Sequence, residues 1–153
     1  MSDRRLKVTK HQDGTATLTG VAYEADRPNI NRVVYPRAVL EKALAKYLET
    51  PANKRLLTIG CQVKPKLADV IGTVTNAEIV GNEVRIEART LKGSSLGAIA
   101  AAYGKDFAFA GSGMSDKTEE GDDGVITVCN FEITNMGVVR VGEVEGEEES
   151  SDG

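Results

Sequence analysis

The chain has 153 residues, 41% hydrophobic and 27% charged, which supports one domain with a modest core and is short for two. No apolar run approaches the roughly 20 residues of a membrane-spanning helix, and the opening MSDRRLKV lacks the apolar stretch of a signal peptide. The net charge of −4 arises from 19 basic and 23 acidic residues with no basic stripe of the kind that tracks nucleic acid, and a single histidine limits any chemistry needing imidazole.

The first ten residues form a basic arm or first strand, with Arg4, Arg5, Lys7 and Lys10 against Asp3. Segments 5–10 and 15–23 alternate around Asp13-Gly14 and predict a hairpin. Residues 36–49 predict a helix that starts with Pro36 at its first position. Its apolar face holds Val39, Leu40, Ala43, Leu44, Tyr47 and Leu48, and an Arg37–Glu41 pair lies on the other side. Residues 55–61 read as a short buried strand. Segments 69–80 and 83–91 flank the Gly81-Asn82 turn and predict a second hairpin.

A second helix is expected over 94–104, capped by Ser94 and stopped by Gly104, with Leu96, Ile99, Ala100 and Tyr103 on one side. Neither helix is expected to leave an apolar face open. Strands follow at 106–112, at 124–133 and at 136–141. In the second of these Val125, Thr127, Cys129, Phe131 and Ile133 share a face. The acidic stretch 116–124 is expected as a surface loop. Six acids and no base occupy Glu143 to Gly153 (EVEGEEESSDG), so residues 1–142 carry +2, 19 bases against 17 acids. Like charge without large apolar side chains does not offset chain entropy, so 143–153 is expected to be a disordered tail. Such a tail either solubilises the domain or docks on a basic partner surface. The whole reads as α+β: a single domain over 1–142, with a β-rich core and one or two packed helices.

The candidate chemistry is sparse. Cys61 and Cys129 lie in separate apolar stretches without a CxxC or Cys/His spacing, which predicts two buried free thiols in a reducing compartment and no metal site. A catalytic Cys61 needs a base, and His11 is the one histidine available. GSSLG at 93–97 has the N–H groups to hold an anion, yet it lacks a Walker lysine and GxGxxG spacing and reads equally as an N-cap. In AFAGSGMSD at 108–116 the small residues around Ser112 would expose a hydroxyl, as a nucleophile requires. They also suit an ordinary strand end or bulge. No cofactor-binding pattern is present.

The order of these pieces resembles the capsid-maturation (prohead) serine proteases of tailed bacteriophages, which share the herpesvirus assemblin-like fold. The resemblance covers about residues 18–141. LTGVAYEADRPNINRVVYPRAVLEKAL looks like the family's early strand, asparagine-rich loop and helix. RLLTIGCQVKPKLADVIGTVTNAEIVGNEVRIEARTL is similar to the histidine-bearing strand, the variable loop and the hairpin. GAIAAAYGKDFAFAGSGMSD and GVITVCNFEITNMGVVR resemble the serine-bearing strand with its helix and the closing strands.

The resemblance implies an assemblin-like barrel or sheet core, with Ser112 at the nucleophile position and Ser115 as a weaker candidate. Departures accompany it. The family's histidine position falls at Cys61 or Gln62; glutamine does not titrate, and a thiolate is itself a nucleophile. The third member falls near 135–137, with Glu132 the nearest carboxylate, and His11 lies before the matched region. Losing one triad member costs several powers of ten in rate.

The expectation is a bacteriophage head protein, structural or accessory, as in a decoration protein. It would bind the major capsid protein or other head proteins in the virion, after assembly in the host cytoplasm, as a pseudo-protease with a vestigial Ser112. Self-association is open; nucleic acid, membrane, metal and cofactor are not expected. The alternatives are an active maturation protease cleaving scaffold or capsid proteins, with Cys61 or a lysine as base, and an unrelated β-rich binding module.

Overall fold

The computed structural model describes residues 3–145. Ten strands and three helices follow in chain order. They are β1 (Lys7–Lys10), β2 (Ala16–Glu24), β3 (Val33–Val34), α1 (Arg37–Leu48), β4 (Leu56–Ile59), β5 (Val70–Val80), β6 (Glu83–Thr90) and α2 (Ser95–Ala102). Then come β7 (Phe107–Met114), β8 (Thr118–Glu120), β9 (Ile126–Val128), β10 (Glu132–Arg140) and α3 (Gly142–Glu145).

Seven strands make one sheet in the order β1-β2-β6-β5-β4-β10-β7, antiparallel throughout except where β10 runs parallel to β4. Strand alternation sets which face is inside: along β6, Val84, Ile86, Ala88 and Thr90 are buried while the residues between them face solvent. Leu18, Leu57, Ile71, Val74, Phe109, Met136 and Val138 complete the core. The sheet curls until its two ends meet. Arg5 bridges Ala108, and the Leu6 N–H donates to the Phe107 carbonyl at 3.0 Å. Arg4, buried at this seam, donates to the carbonyls of Val21 (2.7 Å), Ala22 (2.8 Å) and Phe109 (3.2 Å). Those charge-assisted bonds offset the cost of taking the guanidinium out of water.

The predicted hairpins form where expected, with Gly14 and Gly81 in the left-handed region at φ 89° and 61°. Helix α1 buries Leu40, Ala43, Leu44 and Tyr47 and carries the Arg37–Glu41 pair at 3.0 Å, while Pro36 sits one residue earlier than expected, at the N-cap. Ser94 caps α2 as expected, its Oγ accepting from the Gly97 N–H at 2.9 Å.

Three expectations need correction. The 124–133 strand is broken: β9 ends at Val128 and β10 starts at Glu132, because Phe131 leaves the alternation to pack edge-to-face with Tyr23 and Tyr35, centroids 5.8 Å and 4.9 Å away. The 116–124 loop contains β8, which joins β3 and β9 in a small second sheet. And α2 leaves an apolar face open. It rests on the sheet through Gly97 and Ala100, the smallest residues it has, so Leu96, Ile99 and Tyr103 point outward. Space explains this: a side chain at Gly97 would stand 3.2 Å from the Ile71 carbonyl. Helix α3 takes in Glu143–Glu145, the first residues of the expected acidic tail, whose remainder, 146–153, lies outside the described residues. Among the described residues no helix is long and apolar enough to cross a membrane.

Candidate functional site

Ser112 lies on β7, an outer strand of the main sheet, and is 8% exposed. The glycines beside it have a steric reason. A side chain on Gly111 would collide with the Tyr23 phenol, and one on Gly113 with the Phe131 ring and the Glu132 carbonyl. The small-residue run is therefore explained by two aromatic rings packed against the strand. Opposite β7, a register shift in β10 between Ile133 and Asn135 sets Asn135 directly across from Ser112.

The next strand contributes the facing group. After β4 the backbone turns at Gly60, φ 81°, where a non-glycine residue would be strained; the Gly60 N–H is held by the Val138 carbonyl at 2.8 Å. Cys61 follows, and the Ser112 hydroxyl stands beside its thiol, where it favours the thiolate. Burial pushes the thiol pKa above its ordinary 9.0, the bond from Ser112 pulls part of the way back, and the Glu143 carboxylate pushes it up again. At neutral pH the group facing Ser112 is a protonated thiol.

Of Cys61 and Gln62, it is Cys61 that stands beside Ser112. Gln62 is spent on the loop itself: its amide donates to the Ile59 carbonyl (3.0 Å) and to Asp69 (2.8 Å) and accepts from the Lys66 N–H (2.8 Å). Asn135, directly across from Ser112 and 2% exposed, donates from its amide to the Thr58 hydroxyl at 2.9 Å. The Thr58 hydroxyl in turn donates to the Gly60 carbonyl at 3.0 Å. Neither group titrates in the working range, so the chain Asn135–Thr58–Gly60 braces the Cys61 turn and moves no proton.

The remaining candidates lie elsewhere. Glu132 pairs with Lys46 at 3.5 Å on the surface. Ser115 donates to the Lys117 carbonyl at 3.0 Å in an exposed turn. His11 is bonded to Thr17 at 2.7 Å in the β1–β2 hairpin. The two thiols are free, as expected, yet neither is buried: Cys61 is exposed and Cys129 half-buried, because each sits where its strand gives way to a turn.

Cys61 and Gly111 open into a cleft of about 570 Å³, with Tyr23, Tyr35, Asn29 and Glu143 also on its walls. Tyr23 drew no notice in the sequence. The Tyr23 hydroxyl is buried with no hydrogen-bond partner among the described residues, and burial holds its pKa well above 10.0. Glu143 looked like the start of a tail, and only the return of α3 beside the cleft gives it a place. No group of three or more His, Cys, Asp or Glu among the described residues is placed to hold a metal ion.

A curled seven-stranded sheet with two helices packed on its core, and a serine on one end strand facing the turn after β4, define a prohead-protease-like, assemblin-like α+β fold. The solved structure of the bacteriophage T4 capsid assembly protease has it too: the two superpose with a TM-score of 0.75 over 87% of this chain and 90% of that one, at 19% sequence identity. No family model and no curated protein sequence matches the chain.

Proposed function

We propose that this chain is a bacteriophage head protein that keeps the prohead-protease-like fold and binds the capsid shell or other head proteins without cleaving them. The observation that carries the reading is the group opposite Ser112. Attack by a serine hydroxyl needs its proton removed as the bond forms, and an imidazole beside it does this near neutral pH. Here the partner is a thiol whose pKa is raised, with a neutral amide behind it. Association with the phage head, and assembly in the host cytoplasm, are supported by the fold shared with a capsid assembly protease. The same likeness leaves the unrelated β-rich module without support.

Mass spectrometry of purified virions tests both halves of the reading. Near-stoichiometric, intact protein is expected; absence from the particles removes the decoration role. In parallel, purified protein incubated with head proteins and with a fluorophosphonate probe is expected to show neither cleavage nor labelling of Ser112. An active maturation protease is the second reading, favoured by the Ser112–Cys61 contact itself. It requires cleavage that Ser112→Ala abolishes and that rises as the thiol ionises above pH 9.0.

A further inference from the structure

Two strand edges of opposite charge stand open on this molecule. β1 ends the main sheet; beyond the Arg5–Ala108 bridge its outer side meets no strand, the Gly104 turn rests against Val8, and Lys7, Thr9 and Lys10 are exposed. β8 ends the small sheet, with Thr118, Glu119 and Glu120 all exposed. Among the described residues none of Lys7, Lys10, Glu119 and Glu120 forms an ion pair. Several nearby acids are already engaged. Glu83 and Glu87, which share a shallow outer groove with Lys7, bond to Arg85 and Thr75, while Asp116 and Asp123 beside β8 bond to Asn130 and the Val125 N–H.

An open edge presents unpaired N–H and C=O groups and invites a further strand, and its charges decide which strand. A lysine edge repels another lysine edge, and a glutamate edge repels its like, so each rejects its own copy and accepts the other. The geometry agrees. Lys7 and Lys10 are three apart and Glu119 and Glu120 adjacent, so each edge puts one charge on either face of its strand. Strands of four and three residues are matched in length.

We propose that copies of this chain associate head to tail, the lysine-bearing edge of β1 in one copy pairing with the glutamate-bearing edge of β8 in the next. The contact is heterologous and repeats from copy to copy, closing a ring or extending a row. It does not depend on whether Ser112 is active.

Sedimentation velocity on the full chain tests this. Concentration-dependent association is expected at about 0.05 M salt and its loss at about 0.5 M, where charges are screened within a few ångströms. Lys7→Glu/Lys10→Glu leaves both edges acidic, and Glu119→Lys/Glu120→Lys leaves both basic. Each variant alone is expected to self-associate at least about tenfold more weakly. Mixed, the two are expected to associate again as a row of alternating copies, because every β1–β8 contact between unlike variants is opposite in charge. All four changes together are expected to restore association. These are exposed positions, and circular dichroism checks that the folds are unaltered. A wild-type chain that stays monomeric at low salt overturns the proposal, as does a mixture that fails to associate. So does association that survives Glu119→Lys/Glu120→Lys but disappears with Lys7→Glu/Lys10→Glu and with Glu147→Gln/Glu148→Gln/Glu149→Gln, which would make the acidic terminal segment the partner of β1.

Discussion

At Cys61 a thiol that is exposed as a residue is nevertheless harder to ionise than a free cysteine, and the one group easing its ionisation is the Ser112 hydroxyl. Alkylation by iodoacetamide, read by mass against pH, is therefore expected to be slow at pH 7 with a midpoint above 9.0, and Ser112→Ala is expected to move that midpoint higher still. A downward move would mean the hydrogen bond does not favour the thiolate. Cys61→His returns an imidazole to the turn and is expected to raise fluorophosphonate labelling of Ser112 by about 10²-fold, the lower end of what a positioned base contributes. Labelling that stays at the background would place the deficit in more than the base. The sequence left Cys61 and Gln62 as alternatives opposite Ser112, because only the folded loop shows Gln62 consumed by Asp69 and Lys66 and Cys61 beside the serine.

Elements with one buried face were the legible ones. Both long hairpins and α1 show their period in sequence because one side of each is apolar. β8 has no buried side, so its three residues carry no alternation and read as loop. The opposite failure occurs at 124–133, where alternation runs on through Cys129 and Phe131 although the strand stops, since the pull on Phe131 comes from Tyr23 and Tyr35, distant in sequence. Close packing at β7 gives a direct test. Gly111→Ala drives a methyl into the Tyr23 phenol and is expected to destabilise by about 1–3 kcal/mol in urea unfolding. Tyr23→Phe removes an unpaired buried hydroxyl and is expected to leave stability unchanged or higher. Marked destabilisation by Tyr23→Phe would mean that the hydroxyl has a partner in solution.

For the molecule as a whole, burial raises the pKa of Tyr23, Tyr35 and Tyr47 above 10.0 and that of Cys61 above 9.0. The unfolded chain ionises first as pH rises, so these groups favour the native state fully below about pH 9 and lose that contribution as pH climbs towards their native values. Urea midpoints are expected to hold level from pH 7 to 9 and to fall by pH 11, with tyrosinate absorbance appearing in step with unfolding. Midpoints that hold level to pH 11 would show that these side chains are solvated.

The seam of the curled sheet also imposes an order in time. Arg4 is synthesised 105 residues before the Phe109 carbonyl it bonds, and Val21 and Ala22 reach it long before that strand exists. A growing chain can pair β1 with β2 early, but the Arg4 guanidinium lacks the Phe109 carbonyl until β7 leaves the ribosome. Closure by a contact of such long range is slow compared with hairpin formation. Until then the edge of β1 is bare along its whole length, and the nascent protein is at its most vulnerable to pairing with the wrong strand.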